Sequence, residues 1–132
     1  MSLVLADTSV WAREHQPAVG LMLADAIRAD VLATVVPLTL ELLRSARSYA
    51  QLLIETKRYD VLHQLEITPV VALRAREVQR RLAQRGYHRG PSAVDLMAAA
   101  AAESVDAELW HCDRHFELIA DVTGQPMRRI GE

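Results

Sequence analysis

Leu3-Val4-Leu5-Ala6-Asp7-Thr8-Ser9 decides how the chain reads: four apolar residues in a row, then an acid and two hydroxyl residues. An apolar run this short, with no polar alternation, reads as a strand buried on both faces, as in parallel sheets. The polar triplet after it reads as a helix start. The pattern recurs at 31–36, where Pro37 suits the first position of a helix carrying Leu38, Leu40, Leu42 and Leu43. A further strand is read over 108–112, before a short helix near 114–122, Gly124 and a weak last strand over 127–130. Further helices are expected over 18–29, 48–63, 70–86 and 92–105. The last of these opens on Ser92 and Asp95, the spacing of a capping box. Strands alternating with helices predict an α/β fold in three layers. A central parallel sheet of four to five short strands carries helices on both faces, in one domain spanning residues 1–132.

In right-handed βαβ units, strand C-termini and helix N-termini share one edge of the sheet, and open α/β sheets bind ligands there. Asp7 closes the first strand and Asp113 follows the strand at 108–112. Glu41 lies in the first turns after Pro37, and Asp95 in the first turns after Pro91. Each acid has an ordinary explanation. Asp7 and Asp113 are placed to cap helices, and Glu41 and Asp95 sit where a helix dipole favours an acid. Context weighs against stopping there. Asp95 is the sole charged residue between Gly90 and Ala102, and leucines surround Glu41. Four converging carboxylates repel one another, and a divalent cation held by oxygen ligands removes the repulsion. Such sites commonly work on phosphates.

Composition sets the remaining bounds. The chain has 132 residues, 51% hydrophobic and 24% charged, an ordinary folded make-up. Its longest apolar stretch, residues 96–102, is too short for a membrane span. No basic residue precedes the acid at position 7, which speaks against a secretory signal. The single cysteine, Cys112, excludes an internal disulfide and a Cys-rich zinc site, and no H-E-x-x-H spacing occurs. His111 and Cys112 are strand neighbours pointing to opposite faces, so they do not read as a nucleophilic pair. A cytoplasmic protein with no membrane partner is expected. Net charge of −2 gives no global nucleic-acid signature. Locally, Arg74, Arg76, Arg80, Arg81, Arg85 and Arg89 oppose only Glu77. A solvated helix face explains them as well as a phosphate-binding patch does. Trp110 reads as core and Trp11 as packing at a helix start.

Taken in order, Asp7-Thr8-Ser9, Leu40-Glu41-Leu42, Asp95-Leu96-Met97-Ala98-Ala99-Ala100 and Cys112-Asp113-Arg114-His115-Phe116 resemble the PIN-domain nucleases. The size, with Glu117-Leu118-Ile119-Ala120 and Thr123-Gly124, resembles the VapC-type toxins of bacterial toxin–antitoxin pairs. The resemblance covers essentially the whole chain. It implies a PIN-like fold and a Mg2+- or Mn2+-dependent endoribonuclease, homodimeric and held inactive by a cognate VapB-type antitoxin. It also implies that Asp7, Glu41, Asp95 and Asp113 form the catalytic, metal-binding set, with Ser9 orienting Asp7 or a water. His115 is a departure, standing where many relatives carry a further aspartate. Glu117, one turn beyond Asp113, either compensates or is solvated. Arg44, Arg47, Arg80, Arg81, Arg85, Arg89 and Arg114 are candidates to grip the RNA backbone. Two other readings stay open. One is the same scaffold with a lapsed site, acting as an interaction module. The other is a receiver-type phosphoacceptor domain, which needs a lysine near its last strand; the only lysine here is Lys57, in an expected helix.

Overall fold

The computed structural model describes residues 2–131; Met1 and Glu132, the outer ends of the expected domain, lie outside the described residues. The chain runs β1 (Val4–Ala6), α1 (Thr8–Trp11), α2 (Pro17–Arg28), β2 (Leu32–Val35), α3 (Val36–Leu43) and α4 (Tyr49–Asp60). It continues through β3 (His63–Leu65), α5 (Pro69–Gln84), α6 (Ala93–Ser104), β4 (Glu108–His111), α7 (Arg114–Thr123) and β5 (Met127–Arg129). All five strands form one parallel sheet in the order β3-β2-β1-β4-β5. The three-layer α/β architecture expected from the sequence is the one found.

Alternation within each strand divides the core in two. Leu5 and Leu109 pack into one cluster with α5, α6 and α7. Their neighbours Ala6 and Trp110 pack into the other with α1, α2 and Tyr59 of α4. Both faces are covered, which is why adjacent residues of β1, β2 and β4 are buried together, Leu5 with Ala6, Leu32 with Ala33 and Leu109 with Trp110.

One element departs from the sequence reading. Helix is expected through residue 63, but α4 ends at Asp60 and residues 63–65 become the edge strand β3. His63-Gln64-Leu65 carries no apolar run and is only partly buried. Its extended state comes from backbone pairing with Ala33, Thr34 and Val35 of β2, which leaves no signature in side-chain pattern.

Two helices separate β3 from β4. Arg74 near the start of α5 pairs with Glu103 near the end of α6, Nε to Oε1 at 2.7 Å. The two helices are therefore antiparallel, and the α5–α6 connection returns to the edge where α6 begins with Asp95. Ala98 to Ala102 on α6 are all buried, small side chains letting that helix sit close to sheet and neighbours. No helix among the described residues is long and apolar enough to cross a membrane.

Candidate active site

Strands β1, β2 and β4 end on the same edge, and each acid is fixed locally before it meets the others. Asp7 caps α1: its Oδ2 accepts from the Ser9 amide at 2.9 Å and the Ser9 hydroxyl at 2.6 Å. Ser9 Oγ accepts in turn from the Cys112 amide at 2.9 Å, tying the end of β1 to the end of β4. Asp113 caps α7, its Oδ1 accepting from the His115 amide at 2.9 Å. Asp95 closes a capping box on α6: its Oδ2 accepts from the Ser92 amide at 2.9 Å, and its own amide donates to Ser92 Oγ at 3.1 Å. Glu41 on α3 accepts at Oε1 from the Thr8 hydroxyl, 2.7 Å away.

Asp7 and Asp113 are thus helix caps and Asp95 completes the capping box begun by Ser92, but each engages one carboxylate oxygen only. Asp7 Oδ1, Asp95 Oδ1, Asp113 Oδ2 and Glu41 Oε2 receive no hydrogen bond among the described residues. Asp7 is the extreme case. It is 3% exposed, and its Oδ1 is buried with no partner. A buried acceptor in that state is unfavourable unless something positive reaches it.

All four acids, with Ser9 and His115, line one cleft of about 1000 Å³. Burial pushes the Asp7 carboxyl above the ordinary aspartate value; hydrogen bonds from Ser9 and Thr8 oppose this, and the Glu41 charge adds to it. Burial likewise raises Asp95, with the charges of Asp7 and Asp113 adding and the Ser92 hydrogen bonds opposing. The carboxylates press on one another. His115 Nδ1 lies 3.5 Å from Asp113 Oδ1 and 3.9 Å from Asp95 Oδ2, between the two. Gly90 makes room for that ring: a Cβ there would meet His115 Cδ2 at 3.3 Å.

An all-oxygen donor set with an orphaned buried carboxylate oxygen fits a hard divalent cation. Among the described residues, no three His, Cys, Asp or Glu side chains are drawn together tightly enough to form a finished cage.

Of the arginines the sequence offered as RNA contacts, Arg47 lines the cleft; Arg44, Arg81, Arg85, Arg89 and Arg114 are not in its wall. Arg80 borders a separate depression with Arg76 and Leu73 on α5. Glu117 is engaged by Arg129 at 2.8 Å. His111 is buried against Phe116, and its Nδ1 accepts from the Asp113 amide at 3.3 Å. Burial lowers its pKa, favouring the unprotonated Nδ1 that accepts from the Asp113 backbone. Cys112 is buried. Sequence reasoning missed Thr8, which meets Glu41 across 33 positions, and the Glu14–Arg58 pair at the far end of the cleft. The Asp7-Thr8-Ser9 motif offered a hydroxyl, but no local spacing could have named its partner.

Comparison with known proteins bears on the same geometry. The PIN domain family profile matches residues 4–122. Ribonuclease VapC21 of Mycobacterium tuberculosis is 36% identical over 127 residues, covering 96% of this chain and 92% of that protein. Ribonuclease VapC18 of the same organism is 34% identical over 126 residues, 94% of this chain and 92% of that one. A shorter match, to its ribonuclease VapC2, is 48% identical over 64 residues, 48% of this chain and 45% of that protein. Among solved structures, DNA-bound VapBC from Salmonella typhimurium superposes with a TM-score of 0.77 at 18% identity, covering 98% of both chains. VapBC2 from Rickettsia felis superposes with a TM-score of 0.78 at 14% identity, covering 98% of this chain and 99% of that one. At those identities the superpositions establish the fold. The family profile and the two near-full-length relatives establish the rest: the chain belongs to the PIN domain family, in its VapC branch.

Proposed function

We propose that the protein is a divalent-metal-dependent endoribonuclease, the toxin of a VapBC-type toxin–antitoxin pair, hydrolysing RNA phosphodiesters. The observation that carries this is Asp7 Oδ1, a buried carboxylate oxygen with no partner, in a cleft shared with three further acids. Relatives named as ribonucleases support the reaction class, and structural neighbours described as VapBC complexes support an antitoxin partner. A cytoplasmic homodimer, one PIN domain per chain, completes the proposal.

Asp7, Asp95 and Asp113 would hold Mg2+ or Mn2+, with Glu41 either joining them or holding a water. When bound, the cation supplies a water acidic enough to attack at neutral pH and offsets charge on the phosphate. The chain's own residues do the rest. Ser9 anchors one oxygen of Asp7, so Oδ1 is the oxygen that would be left for an ion, and the Cys112 amide anchors Ser9. Thr8 anchors Oε1 of Glu41, which would leave Oε2 to join the ligands or to hold a water as base. His115 stands between Asp95 and Asp113, its Nδ1 within 4 Å of a carboxylate oxygen of each. Arg47 at the cleft is the first cation for the RNA backbone. Arg44, Arg80, Arg81, Arg85, Arg89 and Arg114 add sequence-independent attraction.

The test is cleavage of a structured RNA in Mg2+ by the purified protein. Fragments carrying 5′-phosphate and 3′-hydroxyl ends are expected, with cleavage lost in EDTA and in Asp7→Asn. Products ending in 2′,3′-cyclic phosphate, or cleavage that survives EDTA, would overturn the proposal.

A further inference from the structure

The cleft does not end at the acids. It continues along residues of α3, α4 and the segment between them, where Trp11, the last residue of α1, forms part of the wall. Tyr59 meets the Trp11 ring edge-on, centroids 5.3 Å apart at 86°. The Arg58 guanidinium lies over the same ring, 5.1 Å from its centroid. Glu14 grips that guanidinium through both carboxylate oxygens, Nη1 to Oε1 at 2.8 Å and Nη2 to Oε2. Trp11 is 4% exposed, and its Nε1 is a buried donor with no partner. Among the described residues, the buried side-chain atoms left unpartnered are two, Asp7 Oδ1 and Trp11 Nε1. Both residues line the same cleft. One end lacks a cation and the other lacks an acceptor.

We infer that the Trp11–Arg58 end is a nucleotide subsite, holding the RNA residue next to the bond that is cleaved. Glu14 occupies its guanidinium in the free protein. The inference rests on the ribonuclease reading and adds where the substrate lies. A cleft of about 1000 Å³ holds far more than an ion and one phosphate; pockets of ~300–1,000 Å³ take whole small-molecule ligands. Glu14 and Glu55 line it along with the four acids, against the guanidinium groups of Arg47 and Arg58. A polyanion entering such a cleft needs each available cation turned toward it. Arginine suits the task, because its planar fork matches a phosphate and its face stacks on a base. RNA is favoured over an acidic peptide because this subsite is continuous with the acids that would perform the cleavage.

The test measures binding of a labelled single-stranded RNA 12-mer pool across a salt series, in an Asp7→Asn background that cannot cleave. Arg58→Gln should weaken binding about fivefold to tenfold and reduce the slope of log affinity against log salt by about 0.7, one phosphate contact on a single strand. Glu14→Gln should act the other way, tightening binding a few-fold by freeing the guanidinium. In cleavage assays of the otherwise unaltered enzyme, the Arg58→Gln effect should fall on KM. An unchanged salt slope in folded Arg58→Gln overturns the inference, and so does unchanged or weaker binding in Glu14→Gln. Should Arg58→Gln misfold, Glu14→Gln decides alone. The inference also fails if both variants alter binding of a poly-glutamate peptide and leave RNA binding untouched. If the unaltered protein neither binds nor cleaves RNA, the ribonuclease reading itself has failed, a different result from an indifferent Arg58.

Discussion

The cleft acids and the arginines of α5 are both dense in one sign of charge, yet the fold treats them differently. Arg76, Arg80 and Arg85 stand exposed, and Arg74 is matched by Glu103 and Glu77. Water and salt screen such groups, so crowding them is nearly free of consequence for stability. Asp7 is buried and Asp95 largely so, and each is raised in pKa by burial and by other acids. Nothing in solvent offsets that. A row of like charges in a sequence therefore says little until burial is known. The informative cluster is the one the fold holds at a disadvantage.

The largest expected effect follows directly. Asp7→Asn and Asp95→Asn should each reduce RNA cleavage by more than about 100-fold, beyond the 10- to 100-fold typical of groups that only orient a ligand. Were Arg80→Gln to do as much, the contrast between the two clusters would be inverted. Thr8→Val comes next. It removes the one hydroxyl holding Glu41 and should lower cleavage about tenfold, with Thr8→Ser recovering most of it. An equal loss in both variants would point to packing rather than to the hydroxyl.

Stability sharpens the comparison further. The fold raises the pKa of Asp7 and Asp95, so it favours their protonated forms. That contribution is fully present below the ordinary value of 3.8 and is lost as pH rises through the raised values. In EDTA at pH 7, Asp7→Asn should therefore melt higher than the parent, and the gap should close as pH falls. Adding Mg2+ should raise the melting temperature of the parent and not that of the variant. A variant that melts lower in EDTA would mean the buried carboxylate is not strained. The smallest effects belong to α5. Arg80→Gln, Arg81→Gln and Arg85→Gln should each change stability by less than about 0.5 kcal/mol. Each should change RNA affinity by less than about threefold at physiological salt. A tenfold loss from any one would place α5 on the RNA.

Much of the fold was legible because the determining signals are local. Short, largely apolar stretches marked β1 and β2, Pro37 and Ser92 marked helix starts, and Gly124 takes the left-handed conformation that ends α7, φ 70°. β3 was not legible, since it is a strand only by virtue of its neighbour β2. The acids were found by their position after strands and in first turns. Thr8, Glu14 and Arg58 were not, because their partners lie 33 and 44 positions away.

By itself, the order of apolar runs and turn residues determined a parallel sheet and the edge at which Asp7, Glu41, Asp95 and Asp113 collect. Periodicity and capping act over a few residues, so they survive in a one-dimensional string. Only the tertiary structure decided which oxygen of each carboxylate is spent on a helix cap and which is left over. It also decided that the cleft runs on from the acids to Trp11 and Arg58. Those facts depend on burial and on distances between remote segments, which exist only once the chain has packed.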